Sequence, residues 1–117
     1  MKNQSFNIRL GFALNGIVCA LRSENSFRIQ IVAACGALAV LLWQKPPPIW
    51  WAVIALTVAA VLAAELFNTA LEHLVDHLHP ELHPRIKIVK DCAAGAVLLL
   101  SACALCVAAA FVWQVLS

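Results

Sequence analysis

Residues 49–64 form the stretch IWWAVIALTVAAVLAA, which carries no charge and has Thr57 as its one polar interruption. A helix needs about 20 residues, at a rise of 1.5 Å each, to cross the hydrocarbon core of a bilayer. The apolar pattern continues in helical register past Glu65 to about Leu78. We therefore predict a membrane-spanning helix over 49–72 that continues to about 78.

Two further apolar runs flank this stretch. Residues 29–43 are apolar apart from Gln30, and the run ends at three consecutive prolines, 46–48, which cannot continue a helix. Residues 92–116 form a longer apolar run. The sequence thus predicts a single all-α membrane domain over 1–117, with its first span at about 27–44 and its third at about 92–116.

The composition also indicates that lipid surrounds most of the chain. Of the 117 residues, 63% are hydrophobic and 12% are charged, whereas soluble domains have about 45–50% and about 25%. A soluble chain of this size cannot bury so much apolar surface, and disordered chains are poor in apolar residues. The net charge of +2 is too small to indicate a nucleic-acid partner. We expect an integral membrane protein that binds no nucleic acid.

The N-terminal segment, 5–22, has a different pattern. Its apolar residues recur at spacings of three and four: Phe6, Leu10, Ala13, Leu14, Ile17, Val18 and Leu21. Such a stripe is typical of an amphipathic helix that lies along the cytoplasmic membrane surface. The alternative is a short soluble helix packed on the spans.

The positive charges predict the orientation. Four of the eight Lys and Arg residues precede the first span and three lie between the second and third: Lys2, Arg9, Arg22 and Arg28, then Arg85, Lys87 and Lys90. All four tryptophans mark the opposite boundary: Trp43, Trp50, Trp51 and Trp113. The positive-inside rule and the aromatic belt agree. They predict a cytoplasmic N-terminus, a cytoplasmic loop over 79–91 and a C-terminus outside.

Four polar residues recur along the second span at spacings of three, four and four: Glu65, Asn68, Glu72 and Asp76. At 100° per residue they fall within about 60° on one face, which we call the polar stripe. Glu65 lies about two turns inside the predicted cytoplasmic boundary, where an ionisable residue costs roughly 2.5–3.5 kcal/mol. The stripe is therefore a candidate functional site. The alternative is that it only fixes helix assembly.

Carboxylate and amide oxygens on one helical face are typical Mg²⁺ ligands, completed by water and substrate phosphates. Glu65 is the deeper and drier position and suits a general base. Glu72, two turns nearer water, suits a metal ligand, with Glu24 at the same membrane level as a second one. Asn68 is placed to orient either carboxylate.

The segment after the stripe contains further polar groups with two interpretations each. A transition-metal site is one interpretation of the histidines His73, His77, His79 and His83; ordinary residues of a membrane edge are the other. Lys90 and Asp91 serve either as a boundary cation and a helix N-cap or as catalytic groups. Neither G-x-x-x-x-G-K nor G-x-G-x-x-G is present. Any nucleotide must therefore be held by carboxylate-bound Mg²⁺ and side chains.

Three motifs in the second half of the chain resemble the signature of the prokaryotic diacylglycerol kinase family, which includes the undecaprenol kinases. They are ELFNTALEHLVD at 65–76, ELH at 81–83 and KDCAAGAV at 90–97. Upstream, ALNG at 13–16 and ENSFR at 24–28 also match. The resemblance covers essentially the whole chain.

The resemblance implies a small homotrimeric enzyme of the bacterial inner membrane that transfers the γ-phosphoryl group of MgATP to a lipid hydroxyl. It also implies active sites composed from neighbouring subunits near the cytoplasmic boundary. By position, Glu65 is the catalytic base, Glu24 and Glu72 bind the metal, and Asn68 supports these carboxylates. Nucleotide contacts are implied for Glu81, His83, Lys90 and Asp91.

Two positions depart from the family pattern. A tyrosine of the interfacial helix is replaced by Phe12, which we keep among the expected nucleotide contacts. An arginine that some diacylglycerol kinases carry aligns with Ser5, one helical turn from Arg9. The stretch 83–91 is more similar to the undecaprenol kinase branch. The family resemblance implies diacylglycerol as the acceptor, converted to phosphatidic acid, and the similarity of 83–91 makes undecaprenol the alternative.

Two other classes of function fit the same residues. A small metal or proton transporter would use the polar stripe as a relay and the histidines as an entry site. A non-catalytic membrane subunit would use the stripe only for interhelical hydrogen bonds. Small residues along the third span suit close helix packing in every case and do not discriminate.

Overall fold

The computed structural model describes residues 3–81 and 83–117. Four helices follow one another: α1 (Phe6–Ser23), α2 (Asn25–Gln44), α3 (Pro48–Leu78) and α4 (Pro84–Leu116). The helices α2, α3 and α4 are each long and apolar enough to cross a membrane. The predicted all-α fold, with three spans after an N-terminal helix, is confirmed. Lys2, one of the charges used for the predicted orientation, and Leu82 lie outside the described residues.

The turn between α2 and α3 is built from the three prolines. Lys45 ends α2 in the left-handed conformation, with φ at 49°, and its N–H donates to the Leu41 carbonyl at 2.8 Å. Pro48 then begins α3. A proline in the first turn of a helix lacks only an N–H that has no partner within the helix. The proline run therefore ends one span and also begins the next.

The helix α4 begins earlier than the third predicted span. Residues 84–91, which we expected to belong to a loop over 79–91, are helical from Pro84. Nδ1 of His83 accepts the Arg85 N–H at 3.1 Å and caps the helix. Lys87 and Asp91, one turn apart, form an ion pair at 2.6 Å. Capping and this pair stabilise a charged helical segment, 84–91, whose composition alone indicated a loop.

The length of α4 indicates that its charged segment, 84–91, lies outside the bilayer core. Its 33 residues extend for about 50 Å at 1.5 Å each, and the hydrocarbon core is about 30 Å thick. If the apolar part of α4 spans the membrane, the charged segment 84–91 projects beyond the hydrocarbon core. The end of α3, which packs along α4, projects with it.

The core of the single chain is small, and its surface is largely apolar. The buried apolar residues are few: Ala20, Phe27, Leu41, Val61 and Phe111. At the turn between α2 and α3, the rings of Trp50 and Phe111 pack edge to face with centroids 5.3 Å apart. Large side chains such as Phe67, Leu98 and Leu105 are at least 70% exposed. A soluble monomer rarely exposes so much contiguous apolar surface, and lipid or further subunits must cover it.

The helix α1 is attached mainly at its C-terminal end. Ala20 is its buried residue, while the apolar side chains of Phe6, Leu10 and Leu14 are exposed. A soluble helix packed on the spans would bury these side chains, whereas a helix lying on a membrane surface leaves them for lipid. The surface location of α1 stays a prediction, and this exposure favours it.

Candidate active site on the polar stripe of α3

Glu65 is a buried carboxylate of the polar stripe, with 6% of its surface exposed. It lies 17 residues after Pro48, which is about 26 Å along the helix axis at 1.5 Å per residue. With Pro48 at one face of a core about 30 Å thick, Glu65 lies about 4 Å inside the opposite face, nearer to it than the two turns expected from the sequence. Gln30 of α2 donates a hydrogen bond from Nε2 to Glu65 Oε1 at 2.9 Å.

Asn68 and Glu72 form the next pair along the stripe. Asn68 Nδ2 donates to Glu72 Oε1 at 3.2 Å, one helical turn away. Asn68 Oδ1 is buried and has no hydrogen-bond partner among the described residues. Since buried polar atoms normally have a partner, this oxygen is an unsatisfied acceptor. The pair therefore places an amide oxygen and a carboxylate on the same part of α3.

Glu24 lies at the corner between α1 and α2. Its N–H donates to the Ala20 carbonyl at 2.9 Å. Arg28 Nη1 donates to the carbonyls of Leu21 and Arg22, each at 2.9 Å, and so caps the end of α1. Cationic groups are favourable at a helix C-terminus because of its partial negative charge. These contacts hold the backbone on both sides of Glu24.

The corner is close to the polar stripe. Glu24 Oε1 is 3.8 Å from His73 Nε2, on the residue that follows Glu72. The carboxylates of Glu24 and Glu72 both lie within electrostatic range of Glu65. The structure thus gathers three predicted site residues, from the α1–α2 corner and from α3, at one end of the bundle.

The donor chemistry of this end fits Mg²⁺. The ion takes one or two carboxylates and keeps waters or phosphate oxygens in its other positions, and Glu24, Glu72 and the unpartnered Asn68 Oδ1 are hard oxygen donors of this kind. In the part of the chain that the structure describes, no three His, Cys, Asp or Glu side chains are placed to share a metal ion. A site at Glu24 and Glu72 would therefore need oxygens from substrate or water.

A second polar region joins the ends of α3 and α4. Lys90 Nζ of α4 is 2.6 Å from Asp76 Oδ1 of α3. Beside this pair is a cleft of about 160 Å³, lined by His79, Pro80, Glu81, Ile86, Lys87, Lys90 and Asp91. It brings together Glu81, Lys90 and Asp91 of the predicted nucleotide contacts. His83 instead caps α4, and Phe12 is exposed on α1.

An apolar groove of about 510 Å³ runs between α2, α3 and α4. Its walls include Ala37 of α2, Val58 of α3 and Leu105 of α4, and Gln30 lines it as well. A groove with these walls suits a hydrocarbon chain. It approaches the Gln30–Glu65 pair from within the membrane-spanning part of the chain.

The sequence pattern did not identify two residues that organise the site. Gln30 was visible as the polar interruption of the first apolar run, but its partner lies 35 residues away. Arg28 was identified as a positive charge at the membrane edge and as the last residue of the ENSFR motif, but not as the cap of α1 beside Glu24. Periodicity identifies residues that share a face of one helix and does not identify contacts between helices.

The chain is similar in sequence to known proteins over most of its length. A sequence profile described as "Prokaryotic diacylglycerol kinase" matches residues 11–112. The chain is 35% identical over 82 residues to the undecaprenol kinase of Bacillus subtilis, covering 70% of this chain and 67% of that protein. It is 37% identical over 89 residues to a diacylglycerol kinase of Synechocystis sp., covering 75% of this chain. That second match spans 51% of the relative's length.

Proposed function

The chain belongs to the prokaryotic diacylglycerol kinase family of lipid kinases, and we propose that it transfers the γ-phosphoryl group of ATP to the hydroxyl of a membrane lipid alcohol. The observation that carries this proposal is the buried Glu65 carboxylate, held by Gln30 near one end of a span. We propose diacylglycerol as the acceptor, giving phosphatidic acid. Undecaprenol, giving undecaprenyl phosphate, is the alternative, since one of the two relatives carries that name.

Glu65 is the proposed general base. Its Oε1 accepts a hydrogen bond from Gln30, which leaves Oε2 to accept the proton of the lipid hydroxyl. The hydroxyl oxygen then forms a bond to the γ-phosphorus, the bond from phosphorus to the β–γ bridging oxygen breaks, and ADP leaves. Phosphoryl transfer depends mostly on positioning and electrostatics. A dry carboxylate near the membrane edge is suitably placed for an alcohol that is anchored in lipid.

Glu24 and Glu72 are the residues proposed to hold Mg²⁺, with Asn68 as the group that orients Glu72. When bound, the ion would neutralise charge on the ATP phosphates. Asn68 Nδ2 fixes one oxygen of Glu72, and the Arg28 cap fixes the backbone beside Glu24. Both carboxylates are therefore restrained before any ligand binds, which lowers the cost of ordering the site.

The cleft between the ends of α3 and α4 is the proposed nucleotide site. Lys90 and Asp91 line it together with Glu81, and Lys90 is the cation suited to a phosphate. His83 and Phe12 are proposed contacts on the basis of the family resemblance. Since Lys90 is paired with Asp76 in the free chain, nucleotide phosphate competes with that carboxylate.

The proposed assembly is a homotrimer in the bacterial inner membrane, with a cytoplasmic N-terminus and active sites shared between neighbouring subunits. The exposed apolar surfaces of α3 and α4 support an assembly, because subunits in contact can cover them. The charged segment at the start of α4 and the polar stripe lie at the same end of the bundle. We place that end in the cytoplasm, where ATP is present.

The test is phosphorylation by the purified protein in mixed micelles. Radiolabelled ATP is supplied with diacylglycerol and undecaprenol in competition, and label in a lipid product is expected. Label in phosphatidic acid identifies diacylglycerol, and label in undecaprenyl phosphate identifies the alternative. Absence of label in both lipids, together with an ion flux in sealed vesicles, would overturn the proposal in favour of a transporter.

A further inference from the structure

Gln30 is the polar side chain that interrupts the first apolar run, 29–43, and it faces α3. Its side-chain Nε2 donates to Oε1 of Glu65 at 2.9 Å. Gln30 is half-buried, and Glu65 is 6% exposed. Water therefore has little access to this carboxylate, and the amide of α2 replaces one of the hydrogen bonds that water would make.

The amide of Gln30 is only partly satisfied. Its Oε1 is buried and has no hydrogen-bond partner among residues 3–81 and 83–117. An unsatisfied buried acceptor destabilises a fold by about 1–3 kcal/mol. An apolar residue at this position would avoid that cost, as it does elsewhere in the run. The stability of α2 therefore does not explain a glutamine here, and its contact with Glu65 does.

The contact also restrains the geometry of the carboxylate. The terminal torsion of a glutamate side chain has a broad and roughly two-fold energy profile. A hydrogen bond to Oε1 selects one orientation of the carboxylate plane and leaves Oε2 unoccupied. Gln30, though not Glu65, also lines the apolar groove between α2, α3 and α4, so a hydrocarbon chain in that groove would contact the residue that holds the carboxylate.

We propose that Gln30 is a positioning residue for phosphoryl transfer, which holds Glu65 so that Oε2 faces the lipid hydroxyl. This inference rests on the proposed function. Gln30 itself does not exchange a proton with the substrate in this scheme. It acts through Glu65, and its loss lowers kcat while the nucleotide site remains intact.

Two substitutions test this role. Gln30→Met keeps the length of the side chain and removes its donor, and it also removes the unsatisfied acceptor. Gln30→Asn keeps the amide but shortens the chain, so the donor no longer reaches Oε1. A residue needed only for polarity tolerates asparagine, whereas a positioning residue does not. Gln44→Met is the matched control, since it makes the same substitution at the end of the same helix, α2, at a residue that does not line the groove.

The first measurement is steady-state kinetics with ATP and the preferred lipid. Both Gln30 variants should lose about 10- to 100-fold in kcat, the range for one hydrogen bond to a charged group. Their KM for ATP should stay within about twofold of the wild-type value. Gln44→Met should keep the wild-type kcat. The inference is overturned if either Gln30 variant that folds retains the kcat of Gln44→Met, or if KM for ATP rises in step with the loss.

The second measurement does not depend on activity. The difference between the infrared absorption spectra of the wild type and of Glu65→Gln isolates the carboxylate stretching band of Glu65. This band should shift in Gln30→Met and stay in place in Gln44→Met. An unshifted band overturns the inference. If the wild type phosphorylates neither lipid, the proposed function fails, whereas an active wild type with active Gln30 variants refutes the inference alone.

Discussion

Lys90 of α4 and Asp76 of α3 form an ion pair between helices, with 2.6 Å between Nζ and Oδ1. Lys90 is the cation proposed to meet the nucleotide phosphates, and Asp76 is the last member of the polar stripe. The side chains are 38% and 60% exposed. Exposed pairs of this kind contribute about 0.2–1 kcal/mol, so phosphate can displace the carboxylate.

Asp76→Asn should therefore lower the KM for ATP. The substitution releases Lys90 and removes a negative charge beside the phosphates, and both effects favour nucleotide binding. We expect a decrease of up to about fivefold at low salt, the upper range for an exposed pair, and less at high salt because of screening. Lys90→Gln should raise the same KM. A higher KM in Asp76→Asn would mean that Asp76 holds Lys90 in its binding position.

Glu65→Gln should abolish turnover and leave nucleotide binding largely intact. Glutamine keeps the size of the side chain, and its amide oxygen can still accept the hydrogen bond from Gln30. It cannot accept the hydroxyl proton, which costs about 10²- to 10⁴-fold in rate. Turnover by radiolabel transfer and ATP affinity by calorimetry separate the two effects. Wild-type activity in this variant would refute the assignment of Glu65 as the base.

The sequence predicted the parts of the structure that depend on periodicity and hydropathy. The apolar runs predicted all three spans, because a membrane-spanning helix must satisfy its backbone hydrogen bonds internally and present apolar side chains to lipid. A spacing of three and four placed Asn68 and Glu72 on one face, and their side chains are hydrogen-bonded. Both predictions use only the geometry of a single helix.

The sequence did not predict features that depend on packing or on one local hydrogen bond. Gln30 and Glu65 are 35 residues apart, and Lys90 and Asp76 are 14 apart. Which side chains meet depends on the rotation of one helix against another. The helical segment 84–91 begins at the His83 cap, and composition does not reveal such a hydrogen bond.

Glu72→Gln should raise the Mg²⁺ concentration required for half-maximal activity. Asn68 can still donate to the new amide oxygen, so the local hydrogen bond survives while the charge on the proposed ligand is lost. Changes to groups that merely support a metal ligand cost about 10- to 100-fold in affinity. Loss of a ligand charge should therefore cost at least about tenfold. An unchanged Mg²⁺ titration would remove Glu72 from the metal site.

Arg28→Met should also raise the Mg²⁺ concentration required for half-maximal activity, without altering any carboxylate. Arg28 Nη1 donates to the carbonyls of Leu21 and Arg22, and these bonds hold the end of α1 beside Glu24. Without them the last turn of α1 frays, and Glu24 must be ordered when the ion binds. We expect the Mg²⁺ requirement to rise by about threefold or more, because loss of a helix-terminal contact costs about 0.5–2 kcal/mol.

The matched control is Arg22→Met, which removes the same charge from the same corner. Arg22 takes part in the cap through its backbone carbonyl, and methionine retains that carbonyl. Mg²⁺ titrations of both variants at equal ionic strength therefore separate the cap from the net charge at the membrane edge. Arg28→Met should shift the titration and Arg22→Met should not. Equal shifts would show that Arg28 acts through its charge alone, and that the contacts at the end of α1 do not position Glu24.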